Sequence, residues 1–401
     1  MKILSISPYL PSEKTGHAGA QYIFRNLIAL SKDHTVRSIF FANNSELAYL
    51  EDFKKNNIDY DYIIMHRNQF SLQKLFFGLS VFLRSQKNNS PFMIEKYNQK
   101  KMKKLISATV SSFKPDIVHI EYNYMHHYVQ SNSKVPFILT EHDITTKVKE
   151  RLHNEVNSSS TLKNYKIWKS TEPNIIKKFD AFITLTEEDK DYIKDWNLPK
   201  CYVIPPQYHI PKINTIKSEQ LTLCFVGSFN RQPNVMALEK LIKIFPLIRE
   251  YHSNVVLKIA GKFLSNDLLN KINNIDGIKY LGFVEKIDEM IAECTLFVAP
   301  IQVGAGLKMK IPHSLSVGTP VITTAIGAEG IPIGEDEGLW VEDSDDNFIN
   351  KCVDLLKRPE KLNNISEKCI KAIDNLFASN RIKEKLEKVY SIVMSDNNSG
   401  S

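Results

Sequence analysis

No stretch of the 401-residue chain comes near the ~20 consecutive apolar residues that a membrane-spanning helix needs. The N-terminal MKILSISPYL is too short in apolar length for a secretory signal and reads as a brief strand. Both absences point to a cytoplasmic protein. Cysteine is scarce: Cys201, Cys224, Cys294, Cys352 and Cys369 are odd in number, scattered and never spaced as Cys-x-x-Cys. That argues against a disulfide framework or a cysteine-bound metal, and buried reduced thiols are the expected state. His119, His126, His127 and the dispersed acids show no metal-ligand spacing, so no metal is expected. A serine nucleophile elbow and a Gly-x-x-x-x-Gly-Lys-Ser/Thr phosphate loop are both missing. The net charge of +7 comes without a nucleic-acid motif, and nucleic acid is not an expected partner.

What is present is an alternation. The length suits two domains, each able to bury its own core. Short β-rich runs at residues 2–7, 36–41, 60–64, 116–121, 135–140, 181–186 and 201–204 are separated by helical stretches such as 20–30 and 187–196. Several runs are almost wholly apolar, as strands covered on both faces must be, and the alternation predicts a doubly wound parallel sheet. The rhythm breaks at Pro205-Pro206, and the polar, proline-bearing segment that follows reads as a linker. It resumes at 221–226, 255–260, 278–281, 296–299, 321–324 and 339–341. The first helix of this second series opens at Pro233, a residue suited to a helix's first turn. The expected division is residues 1–205, a linker 206–220, a second domain 221–378, a helix 379–394 and a disordered polar tail 395–401.

The positive charge is uneven. Between His66 and Lys104 stand nine Lys or Arg residues and one acid, Glu95. The same segment holds Phe70, Leu72, Leu75, Phe76, Phe77, Leu79, Val81, Phe82 and Leu83. A basic stretch beside such an apolar helix fits docking on the inner, anionic face of a membrane. The other reading is an internal helix packed on the sheet, followed by a solvated lysine-rich helix over 96–104. The residue pattern favours the packed helix, because apolar side chains surround most of it rather than forming one stripe.

The stretch from Ala299 to Gly330 is the most telling. A buried strand over 295–300 runs into a loop with Gly304 and Gly306, then a short helix with Lys308, Lys310 and His313 near its start. Gly318-Thr319-Pro320 and a second apolar strand over 321–324 follow. Unpaired N–H groups at a helix start favour an anion such as phosphate, and two lysines strengthen the case. Pro312 is tolerable if it falls in that helix's first turn.

This layout resembles the donor-binding signature of retaining, GT-B-fold glycosyltransferases, family 4 (glycosyl transferases group 1). There a proline before the loop, the Gly-Thr-Pro and a Gly-x-Glu-Gly, here Gly327-Ala328-Glu329-Gly330, recur in this order. The signature's two glutamates fall on Ala305 and His313. A branch of the family carries a Gly-x-Gly-x-Lys loop, present here from Gly304 to Lys308, and often lacks the first of them. The second usually holds the donor's ribose, a hydroxyl that His313 can also hydrogen-bond. The resemblance implies an α/β GT-B fold: two Rossmann-like doubly wound parallel-sheet domains facing a cleft, with the last helix crossing back onto the first.

Further residues take meaning from it. After the first strand, Gly16 and Gly19 mark the loop where backbone amides approach the donor diphosphate or the acceptor, although any α/β protein needs a glycine turn there. In VPFILTEHD, the strand ending in His142 resembles the family's strand whose histidine faces the transferred sugar. The plain alternative is a loop histidine satisfied by its neighbours. Glu141 and Asp143 flank it and could set its tautomer, while Glu121, ending the preceding strand, would point toward the acceptor. Gly227 ends the second domain's first strand. Where relatives carry an Arg and a Lys that neutralise the leaving diphosphate, this chain has Ser228 and Pro233. Arg231 and Lys308 are the replacements, with Lys310 third, since the leaving group gains negative charge. Arg231 could instead be a surface residue, and Glu329, expected to line the donor site, could be a turn acid.

The resemblance therefore implies a retaining, metal-independent hexosyltransferase-like enzyme. It would move a sugar from a nucleotide-sugar donor, which is a substrate and not a cofactor, to a glycan or lipid-linked cell-envelope acceptor. The leaving phosphate would take the acceptor's proton, with His142, Arg231 and Lys308 as the catalytic set. The departures from the signature keep two other functions open: a non-catalytic GT-B scaffold subunit, and a nucleotide-sugar epimerase.

Overall fold

Strands form where the apolar runs lie. In the computed structural model, which describes residues 1–15, 17–65, 72–130, 133–208, 210–211, 213 and 218–399, seven of them make a first sheet. These are β1 (Lys2–Ser7), β2 (Thr35–Ala42), β3 (Asp59–Ile64), β4 (Ile117–Glu121), β5 (Phe137–Glu141), β6 (Ala181–Thr184) and β7 (Lys200–Val203), in the order β3-β2-β1-β4-β5-β6-β7. A second sheet has β8 (Thr222–Val226), β9 (Val256–Ala260), β10 (Ile278–Gly282), β11 (Leu296–Ala299), β12 (Val321–Thr323) and β13 (Leu339–Val341), in the order β10-β9-β8-β11-β12-β13. Every pairing is parallel. β4, β5, β6, β11 and β12 are buried at every residue, which is why they read as continuous apolar runs rather than alternating ones.

The chain divides into two compact units. One comprises Met1–Gln207 with Ser379–Ser401, the other Tyr208–Ala378. The first unit buries a layer on each face of its sheet. One layer includes Phe40, Phe53, Ile117 and Ile138, joined by Ile382, Leu386, Val389 and Tyr390 of the Ser379–Ser399 helix. The other gathers Phe41, Tyr97, Leu139, Trp168 and Phe182. The second unit's core runs from Phe225 and Phe297 to Phe348 and Phe377.

Several expectations need correction. The tail expected to be disordered from residue 395 is helical to Ser399, because the Asn397 amide donates to the Lys134 carbonyl and ties the last turn down. The lysine-rich helix expected over 96–104 is two helices, Phe92–Tyr97 and Lys100–Phe113. Between them Gln99 is extended, and the Tyr128 hydroxyl bonds both the Tyr97 carbonyl and the Gln99 amide, so the chain cannot continue as one helix. The Leu72–Lys87 helix is not an internal one. Val81 is buried, but Leu75, Phe76, Leu79, Phe82 and Leu83 are 50–67% exposed. Among the described residues no helix is long and apolar enough to cross a membrane.

Candidate active site

In a doubly wound sheet the strand order reverses once, and the loops leaving the two strands at that place diverge around a ligand crevice. In the second unit the reversal lies between β8 and β11. After β8 the chain passes Gly227 and Ser228 to Arg231, an exposed residue that caps the Gln232–Tyr251 helix. Pro233 sits in that helix's first turn, where its missing N–H loses no helical bond. After β11 the loop turns through Gly304 and Gly306, at φ +131° and +66°, conformations that a side chain would strain.

That loop delivers Lys308 to Glu329. The Lys308 Nζ donates to Glu329 Oε2 at 2.7 Å and to the Gly306 carbonyl at 2.8 Å, with both side chains largely buried. Lys310 opens the helix Lys310–Ser316, so Lys308, expected near the start of that helix, lies in the loop before it. Left-handed Gly306 keeps the chain non-helical until Met309. Pro312 falls in the helix's first turn. The Lys310 ammonium donates to Asn234 Oδ1 and stands 4.5 Å from the centre of the Phe225 ring. Burial, then repulsion by Arg231, lower its pKa to about 7. His313 bonds outside this group: its Nε2 is 2.5 Å from Asp288 Oδ1, a contact that holds the Asp288 carboxyl below its usual range.

In the first unit the reversal lies between β1 and β4, with β5 next in line. His142 follows β5, and its Nε2 is 2.8 Å from Glu121 Oε2 at the end of β4. Both are deeply buried, at 6% and 2% side-chain exposure. Burial pushes the Glu121 carboxyl up to about 7 and the His142 imidazole down to about 3. Glu121, expected to point toward the acceptor, has one carboxylate oxygen on His142 and fixes the orientation of its ring. Glu141 instead lies near Glu172, and burial followed by that carboxylate raises its pKa well above the ordinary range. His119 completes a buried chain: its Nδ1 meets the Tyr390 hydroxyl at 2.6 Å and its Nε2 meets Thr140 Oγ1 at 2.6 Å.

The His142 ring lies flat on Tyr122, with centroids 3.9 Å apart and planes 5° apart, and Tyr22 meets its edge at 5.0 Å. Tyr122 holds φ +72°, a strained position for a residue with a side chain, of the kind that clusters at functional sites. Gly19 makes room for it, since a Cβ there would come within 1.8 Å of the Tyr122 hydroxyl. Tyr124 stacks on Tyr122 at 5.1 Å, and its hydroxyl bonds that of Tyr9 at 2.8 Å. Gly16 lies outside the described residues.

Sequence reasoning missed Tyr122, Asn234 and Asp288. The Tyr-Asn-Tyr after Glu121 was the available signal for the first. Nothing in spacing reveals the other two, which act across the fold. Among the described residues no three His, Cys, Asp or Glu side chains gather as a metal-binding group. The chain's Asp-x-Asp triplets are engaged structurally: Asp61 pairs with Arg37, Asp189 with Lys147, and Asp343 accepts from the Ala325 amide.

Residues 62–207 match the domain Glycosyltransferase Family 4, and residues 220–358 match the domain Glycosyl transferases group 1. The chain belongs to the group 1, family 4 glycosyltransferases. Sucrose-phosphate synthase from Thermosynechococcus elongatus superposes on this glycosyltransferase with a TM-score of 0.72 at 14% identity, over 99% of this chain and 100% of its own. Anabaena HepE, solved with UDP and glucose, gives 0.65 at 14% identity over 98% and 99%. The two units have the GT-B architecture of these proteins. An uncharacterized 44.6 kDa protein in the cps region of Klebsiella pneumoniae is 24% identical over 237 residues. That alignment spans 55% of this chain and 58% of the relative's length.

Proposed function

We propose that this glycosyltransferase transfers a sugar with retention of configuration, from a nucleotide-sugar donor to a glycan or lipid-linked acceptor, without a metal ion. The observation that carries the reading is the group of cations where β8 and β11 diverge: Lys308, Lys310 and Arg231. When the bond from the sugar's C1 to the phosphate oxygen breaks, the diphosphate gains the charge that these groups are placed to meet. The same oxygen takes the proton of the acceptor hydroxyl as the new bond to C1 forms on the face it leaves. Lys310, with its pKa lowered to about 7, gains a proton as the anion arrives near neutral pH. His142 hydrogen-bonds a hydroxyl of the transferred sugar, its ring fixed by Glu121 and Tyr122.

HepE's complex with UDP and glucose supports a uridine donor, and the cps region of the Klebsiella relative supports polysaccharide synthesis. The exposed apolar helix and its lysine-rich neighbour support peripheral contact with an anionic membrane. His142→Ala tests the catalytic assignment. Transfer is expected to fall at least ~100-fold, a loss on the scale of general catalytic contributions, while nucleotide affinity is kept. Unchanged turnover would remove His142 from the machinery. A second reading, a non-catalytic scaffold subunit, is favoured by the hold of Asp288 on His313 at the position where the family reads ribose. It predicts the same protein with no turnover on any donor.

A further inference from the structure

A cavity of about 450 Å³ lies in the first unit, beside the Leu72–Lys87 and Phe92–Tyr97 helices and the pair Thr145–Val156 and Ser159–Ile176. The reaction described above makes no use of it. Its volume falls within the roughly 300–1,000 Å³ of small-molecule sites. Phe82, Phe92, Met93, Ile167 and Trp168 give it apolar walls. Among the described residues of the lining, the charged ones are Lys149 and Lys163, and none is a carboxylate. Lys149 is partly buried, and that burial lowers its pKa without a carboxylate to offset it.

Two members of the lining carry the argument. Phe82 also belongs to the exposed apolar face formed with Leu75, Phe76, Leu79 and Leu83. Tyr124, also in the lining, stacks on Tyr122, which stacks on His142. A wholly apolar ligand would leave two ammonium groups without an anion, and a free phosphate would leave the aromatic walls without contact. A molecule with an anionic head and an apolar chain satisfies both.

We propose that this cavity seats the acceptor, and that the acceptor is a lipid whose head joins a phosphate to the hydroxyl that receives the sugar. Its head is held by Lys149 and Lys163, its first carbons lie against Phe82, Phe92 and Trp168, and the rest of its chain follows the exposed face. The proposal rests on the reading of the chain as a transferase with a lipid-linked acceptor, and it names that acceptor's chemistry and seat.

The test titrates decyl phosphate, below its micelle concentration, into the full chain while the fluorescence of Trp168 is followed, with Trp168→Phe as the control for the signal. UDP binding is measured on the same samples. Saturable binding is expected, weakened roughly 10- to 100-fold by Lys149→Met with Lys163→Ala, as for loss of charge-assisted hydrogen bonds. Lys163→Glu, at an exposed position, should weaken it without disturbing the fold. Inorganic phosphate and decanol should bind far more weakly. Equal binding of decanol, equal competition by inorganic phosphate, or lysine variants that bind like the wild type would each overturn the proposal. Absence of decyl phosphate binding with UDP binding intact overturns the cavity assignment alone. Loss of both overturns the donor reading on which it rests.

Discussion

His142 is held on three sides, and the hold has a consequence for pH. Burial keeps its imidazole neutral, with a pKa near 3, while Glu121 titrates near 7. Below about 7 the protonated Glu121 donates to His142 Nε2, so that Nδ1 carries the ring proton. Above it the carboxylate accepts from Nε2–H, and Nδ1 becomes the acceptor for a sugar hydroxyl. At saturating donor, where Lys310 is already protonated, transfer is therefore expected to rise with pH through about 7, and Glu121→Gln should flatten that rise in a kcat profile. A variant that keeps the inflection would place the titration on another group. At this scale the sequence was only partly legible. His142 was singled out because an apolar strand ending in histidine resembles the family's, and Lys308 because it follows a glycine loop like that of a family branch. Tyr122 was not, because neither its φ of +72° nor its stacking is a property of residue spacing.

Helices and strands were legible to different degrees for a physical reason. The inner strands β4, β5, β6, β11 and β12 are apolar runs, because parallel strands covered on both faces have no polar side to blur them. The Leu72–Lys87 helix misled, since its apolar side chains look the same in sequence whether a sheet covers them or nothing does. Its exposed face and the exposed Lys100, Lys101, Lys103 and Lys104 together predict adsorption to anionic vesicles. Reversing those four charges to Glu should abolish co-sedimentation with phosphatidylglycerol vesicles at low salt, each lysine contributing on the order of 1 kcal/mol. Unchanged sedimentation would end the membrane reading. The last helix makes a different prediction. Leu386 is fully buried in the first unit's core. Leu386→Ala should cost about 2–5 kcal/mol in denaturant unfolding. A cost below ~1 kcal/mol would mean that the helix does not seal that face.

As a whole, the molecule repeats one arrangement: each unit places its candidate site where its strand order reverses. Where its strand order reverses, the first unit offers a neutral imidazole and aromatic rings, which suit sugar hydroxyls. The second offers cations, which suit a diphosphate. This contrast follows from Tyr122 and His142 on one side and Lys308, Lys310 and Arg231 on the other. Ala305 and His313 stand where the family signature has its glutamate pair, and a binding measurement separates a remodelled donor site from a lost one. Isothermal titration of UDP, GDP and ADP into the chain in the presence of EDTA, repeated in buffers of different ionisation enthalpy near pH 7.5, is that measurement. Selective binding of one nucleotide is expected, with proton uptake that Lys310→Met removes. No binding of any of the three would contradict a working donor site and leave the scaffold reading in its place.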